Sequence, residues 1–180
     1  MVVSAASLIG SHGVSATSLS DVLQASRAPR GSIYHHFPAG KQELVEEAMR
    51  WTTEQVVAHQ KSCTAATAAG VLDHFVALFR QASKLSHCQA GCPIAGVIVD
   101  VHSSEDRLGK VGRASFRAWT GLLSRQLTRA GLPPQRARSL AVTALASVEG
   151  ALILCRAENS VAPLDAVALH LRELATAPPL

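Results

Sequence analysis

The chain has 180 residues, with 48% hydrophobic and 17% charged side chains, a balance that folds rather than stays disordered. Lys and Arg outnumber Asp and Glu by 17 to 13, and the resulting net charge of +4 permits nucleic acid as a partner without demanding it. Met1-Val2-Val3 lacks the charged start and apolar run of a signal peptide, and no stretch reads as the ~20 apolar residues of a membrane span, so a cytoplasmic protein with reduced thiols and no membrane partner is expected.

Taken in chain order, nearly everything reads as helix, punctuated by Pro and Gly, with no sustained alternation of apolar and polar residues. Val2, Ala5 and Ile9 line a first helix that stops at Gly10-Ser11-His12-Gly13. Leu19, Val22 and Leu23 recur at helical spacing, Thr17 or Ser18 is placed to cap them, and Asp21 follows Ser18 by three as in a capping box. The chain turns at Ala25-Ser26-Arg27-Ala28, and Pro29 is expected at the first position of the next helix. There Ile33 and Phe37 face inward and Arg30, Ser32, Tyr34 and His35 remain outside.

A fourth helix starts near Lys41, carries Leu44, Val45, Ala48 and Met49, and continues through Trp51 to about Gln60. A fifth is expected over Gly70–Leu85, followed by a break from His87 to Pro93. The apolar run Pro93–Val101 has the β-branched content of a strand, but in helical surroundings it reads as a short buried helix. Ser103 or Ser104 should open a helix to about Arg129, Pro134 or Gln135 one to about Ala157, and Pro163 the last. The fold class is therefore all-α, with about nine helices. The apolar excess for this length points to an oligomer interface or an apolar cavity.

Two short helices joined by a tight turn make a helix-turn-helix, a device for placing a helix in the DNA major groove. The segment LSDVLQASRAPRGSIYHHF, with its Gly-Ser, its Tyr-His-His-Phe ending and the amphipathic helix from Lys41 to Met49, resembles the DNA-binding motif of the TetR family of bacterial transcriptional regulators. APRGSIYHHFPAGKQEL is similar to the LmrA/YxaF-type branch, in which the loop Pro38-Ala39-Gly40 is one residue longer, and GCPIAG at 91–96 is similar to that branch too. The family usually has Gly in the turn where this chain has Arg27, and many members carry a basic arm ahead of the first helix that is not seen before Met1.

The resemblance implies a DNA-binding helix-turn-helix domain over 1–47 and a C-terminal helical ligand-binding and dimerisation domain over 48–180. Within 1–42 the charges are Arg27, Arg30 and Lys41 against Asp21. Arg30 suits a bidentate contact with guanine O6 and N7, and Ser32 and His35 are the other candidates for base edges. Tyr34, Lys41, Thr17 and Ser18 match phosphate-contacting positions of the family, and Gly31 lets the backbone approach closely. His36 suits packing or a cap as well as DNA.

So small a reading head implies a homodimer on a pseudo-palindrome. Leu140, Ala144, Ser147, Val148 and Ala151, with Leu164, Val167, Leu171 and Leu174 of the last helix, match the helices that form the family's four-helix dimer interface; Thr143, Gly150 and Leu152 accompany them. The family's C-terminal core binds a small-molecule inducer. Here Trp51, Phe75, Phe79, Phe116 and Trp119 are the candidate lining, although aromatics at helical spacing are more often plain core, and an apolar or aromatic ligand would fit them.

No triad, paired-carboxylate motif, phosphate loop or dinucleotide fingerprint is present in the sequence, so no catalysis, cofactor or metal is assigned. His87-Cys88 and Cys92 form a loose cluster better suited to buried small hydrophobes than to a thiol switch. The function expected is a DNA-binding transcriptional repressor, released from its operator by the inducer. The alternative is a helical small-molecule-binding protein with a weak or silent head, given Arg27 and the missing arm.

Overall fold

The computed structural model describes residues 1–101 and 106–177. Among them the elements are all helices: α1 (Val2–His12), α2 (Leu19–Ser26), α3 (Ser32–His36), α4 (Lys41–Lys61), α5 (Ala68–Leu85), α6 (Pro93–Asp100), α7 (Arg107–Arg129), α8 (Pro134–Glu158) and α9 (Ala162–Thr176). The apolar run after Cys92 is the helix α6, with Pro93 in its first turn, where a missing N–H costs nothing. The expected start of the next helix at Ser103 or Ser104 lies outside the described residues, and α7 is described from Arg107.

Pro29 is placed differently from the expectation. The helix α3 begins at Ser32, and Pro29 sits in the preceding turn, where its carbonyl accepts from the Ser32 N–H at 3.0 Å and from the Ser32 hydroxyl at 2.6 Å. That local competition with helix geometry delays the start by three residues.

The chain divides into two compact units, Met1–Gln55 with Cys92–Phe116, and Val56–Gly91 with Arg117–Leu180. Helices α4 and α7 each contribute residues to both. In the first unit α1 packs on α2 and α6, and Ile9, Val22, Ile33, Phe37, Leu44, Met49, Ile94 and Val97 are buried. Each such side chain contributes roughly 1.5–3 kcal/mol of apolar burial. The buried Glu46 carboxylate is paired with Arg50 one turn on and with Arg107 of α7, which is what a carboxylate removed from water requires.

In the second unit α5, α8 and α9 pack on one another around Val71, Leu72, Phe75, Val148, Leu164 and Leu171. Arg80 with Asp165, and Arg172 with Asp73, tie α5 to α9 at the rim. Contrary to the expectation that no stretch is apolar enough, α8 contains an 18-residue window of mean hydropathy 1.6. Of that window 44% is nevertheless buried, as in a packed core helix.

Candidate nucleic-acid interface

The start of α2 is fixed by a reciprocal cap. The Asp21 N–H donates to Ser18 Oγ at 3.1 Å, while the Ser18 N–H and hydroxyl donate to Asp21 Oδ2 at 2.8 and 2.7 Å. The Ser18 hydroxyl and then its N–H hold the Asp21 carboxyl below its ordinary value, because both favour the charged form. Thr17, predicted to touch phosphate, is instead buried and donates its hydroxyl to the Gly13 carbonyl at 2.8 Å. Of two neighbouring hydroxyls only Ser18 faces out, since the other closes the loop after α1.

Arg27 ends α2 in the left-handed region, at φ 54° and ψ 30°, and its N–H and that of Ala28 close the turn on Gln24 and Leu23. This is the position where the sequence lacks the customary glycine. The backbone takes the left-handed turn all the same, at a cost of about 1–2 kcal/mol for a side chain with a Cβ. Beyond it, Ile33 and Phe37 are buried, which fixes the rotation of α3 and leaves Arg30, Gly31, Tyr34, His35 and His36 exposed. Tyr34 is 67% exposed, with its ring open to solvent. A Cβ built on Gly31 meets nothing within 4 Å, so the chain's own packing does not require glycine there.

Ser32 is half-buried with its hydroxyl committed to Pro29, so it presents less to a base than the sequence implied. Lys41, half-buried, opens α4. The longer loop before it closes through Gly40 at φ 70°, with the Gly40 N–H on the Phe37 carbonyl at 2.8 Å and the Ala39 N–H on Glu43 Oε2 at 2.9 Å. The exposed edge thus runs from Ser18 past Arg27 and Arg30 to Tyr34 and His35. Arg27, one of the charges of 1–42 but not one of the residues matched to a DNA contact, is exposed at this edge.

Comparison with known proteins agrees with this geometry. A profile described as "Bacterial regulatory proteins, tetR family" matches residues 2–48, and one described as "Transcriptional regulator LmrA/YxaF-like, C-terminal domain" matches residues 68–170. The chain belongs to the TetR family, in its LmrA/YxaF-like branch. It is 41% identical to the HTH-type transcriptional regulator Rv0196 of Mycobacterium tuberculosis (strain ATCC 25618 / H37Rv), covering 97% of this chain and 91% of that protein. It is 26% identical to the HTH-type transcriptional regulator LmrA of Bacillus subtilis (strain 168), covering 85% of this chain and 82% of that one. A TetR transcriptional regulator from Legionella pneumophila shares the fold at TM-score 0.84 with 22% identity, covering 97% of this chain and 95% of that one.

Three of the five aromatic candidates lie in the second unit. Phe75, Phe79 and Trp119 are buried there and interlock edge-on, with ring centroids 5.3 Å apart for the phenylalanines and 6.4 Å for Phe79 and Trp119. Trp51 and Phe116 are half-buried and fall in the first unit. The five aromatic candidates therefore divide between the units, and the three in the second act as core.

The nine residues expected at a dimer interface divide as well. Leu140, Ala144, Val148 and Ala151 of α8 and Leu164 and Leu171 of α9 are buried inside the chain's own unit, and only Ser147, Val167 and Leu174 are half-exposed. Helix α8 is apolar on two faces, and most of the α8 residues named from sequence lie on the inner one. The outer face carries Val142, Thr143, Ala146, Gly150, Ile153 and Leu154, all exposed and uncharged, with Leu169 exposed on α9. Their i, i+3, i+4 spacing was the available signal, but it competed with an equally regular inner stripe.

Cys88, Cys92 and Cys155 are buried and Cys63 is half-buried. Burial pushes the Cys155 thiol above its ordinary value. No group of three or more metal-binding side chains occurs among the described residues.

Proposed function

We propose that this TetR-family regulator is a cytoplasmic, homodimeric repressor that binds a pseudo-palindromic operator and is released from it by a small ligand. The observation that carries the reading is the exposed face of α3: Ile33 and Phe37 anchor it inward, and Arg30, Tyr34 and His35 project outward beside the exposed turn at Arg27. Arg30 is assigned to a guanine edge, His35 to a neighbouring base, and Ser18, Tyr34 and Lys41 to phosphates; Gly31 keeps the backbone open to close approach. Residues 1–47 form the reading head in this scheme and 48–180 the ligand-binding and dimerising part.

The homodimer rests on α8. Ile153 is 72% exposed and Leu154 51%, and the exposed residues of α8 from Val142 to Leu154 carry no charge; such a face is stable in water when a second copy covers it. Two copies would set two α3 helices about one DNA turn apart. Release by a ligand requires that the ligand favour one spacing of the heads over another, and α4, which has residues in both compact units, is the element suited to carry that difference. No catalytic role enters this scheme.

A mobility-shift titration with the operator duplex, read for stoichiometry by multi-angle light scattering, tests it. Two chains per duplex, or a multiple of two, are expected. A complex with a single chain, or none at any salt, overturns it.

A further inference from the structure

We propose that the recess at the ends of α4 and α7 is a binding site for a small organic anion with an apolar body, a carboxylate or sulfonate in class. The recess, about 520 Å³, lies within the second compact unit, in the size range of small-molecule sites. Its two charged lining groups are both cations, Lys61 at the end of α4 and Arg129 at the end of α7. Val71 and Leu122 give it an apolar wall, and Cys63 is part of its lining.

A cation at a helix end has an ordinary use, to answer the last carbonyls of the helix. Here the carbonyls that precede the final residue of each helix are already answered. On α4, Ala58 O accepts from the Ser62 N–H, His59 O from the Ser62 hydroxyl and the His74 ring, and Gln60 O from the Cys63 N–H and Gln126 Nε2. On α7, Gln126 O accepts from Ala130, Leu127 O from Leu132 and Thr128 O from Gly131. Neither Lys61 nor Arg129 pairs with a carboxylate among the described residues. Neither cation is taken up by a carboxylate or by these carbonyls, and both are exposed at the recess.

The recess is also held in shape. Gln126, buried in its wall, is locked to Gln60 by Gln60 Nε2 donating to its Oε1 at 2.8 Å and by its own Nε2 donating to the Gln60 carbonyl at 2.6 Å. One amide N–H of Gln126 is left over as a donor for an anion. The loop before α5 forms another side: a Cβ built on Gly70 would stand 2.9 Å from the Ala65 Cβ, so the loop lies tight on the helix start. Two cations, a spare amide donor and an apolar wall select an amphiphilic anion over a neutral aromatic. As a binding site the recess stands alone; as the seat of the inducer it rests on the regulator reading above.

The test uses the full chain and two dyes, 8-anilinonaphthalene-1-sulfonate and its uncharged relative N-phenyl-1-naphthylamine. The sulfonate is expected to bind the wild type and to lose roughly tenfold or more in affinity in the Lys61→Ala/Arg129→Ala variant, as charge-assisted contacts are removed. The uncharged dye should not distinguish the two proteins. Because Cys63 is the least buried of the four cysteines, alkylation by neutral iodoacetamide reports on the same place. Saturating sulfonate should slow alkylation of Cys63 several-fold in the wild type only. Equal sulfonate affinity in wild type and variant, or Cys63 alkylation unaffected by the dye, overturns the proposal. Neither readout involves DNA, so failure here is separable from failure of the regulator reading.

Discussion

Ser18 and Asp21 hold each other across the first turn of α2, each donating its backbone N–H to the other's side chain, at 2.8 Å from Ser18 and 3.1 Å from Asp21. The pair closes the entry to the helix-turn-helix, and Ser18→Ala is expected to cost about 0.5–2 kcal/mol of stability, read from urea denaturation at pH 7.

The same pair gives a pH signature. Asp21 has its carboxyl held below the ordinary 3.8, first by the Ser18 hydroxyl. A carboxyl depressed on folding contributes stability that is complete above its unfolded value and vanishes as pH falls through its folded value. The stability difference between wild type and Asp21→Asn should therefore be constant from pH 7 to 5 and shrink below about pH 4. A difference that grows on acidification would contradict the cap.

Arg27 and Gly40 are both left-handed, at φ 54° and 70°. Arg27→Gly is expected to stabilise by about 0.5–1 kcal/mol, the relief of left-handed strain less the added freedom of the unfolded chain. Gly40→Ala, with open space around the new Cβ, should destabilise by about 1 kcal/mol through backbone strain alone. Thermal melts of the two variants should move in opposite directions.

Phe79 stands between Phe75 and Trp119 in the core of the second unit. Phe79→Ala is expected to cost about 3–5 kcal/mol, as an emptied core site does. A denaturation midpoint close to that of the wild type would return the aromatics to the role of ligand lining.

Ile153→Glu puts a charge at the centre of the exposed stripe of α8 and leaves the chain's own core untouched. Sedimentation velocity should show a dimer for the wild type and a monomer of unchanged helicity for the variant. A variant that still sediments as a dimer would move the interface elsewhere.

The reading head was legible in the sequence because its determinants are local. The Ser18–Asp21 cap, the periodicity of Val22 and Ile33 and the turn at Arg27 all act within a few residues of themselves. What escaped was decided by the third dimension. Thr17 and Ser18 are equivalent caps on paper, and only the packing of the loop after α1 turns Thr17 inward to Gly13. Pro29 fits a helix start by propensity, but a turn bonded through its carbonyl wins. On α8 both stripes are apolar, so the residues of the inner face, Leu140 to Ala151, could not be told from the outer by pattern alone. The recess beside Lys61 and Arg129 joins the ends of two helices far apart in the chain, a proximity that no sequence periodicity contains.

Selection from a random duplex DNA library at near-physiological salt, with wild type and Arg30→Ala side by side, decides whether α3 reads DNA. A pseudo-palindromic site should emerge for the wild type, and Arg30→Ala should relax one position in each half-site by about 1–3 kcal/mol. A wild type that enriches no sequence, or a variant that selects the same site with the same discrimination, would contradict the assignment of the exposed face of α3 to base reading.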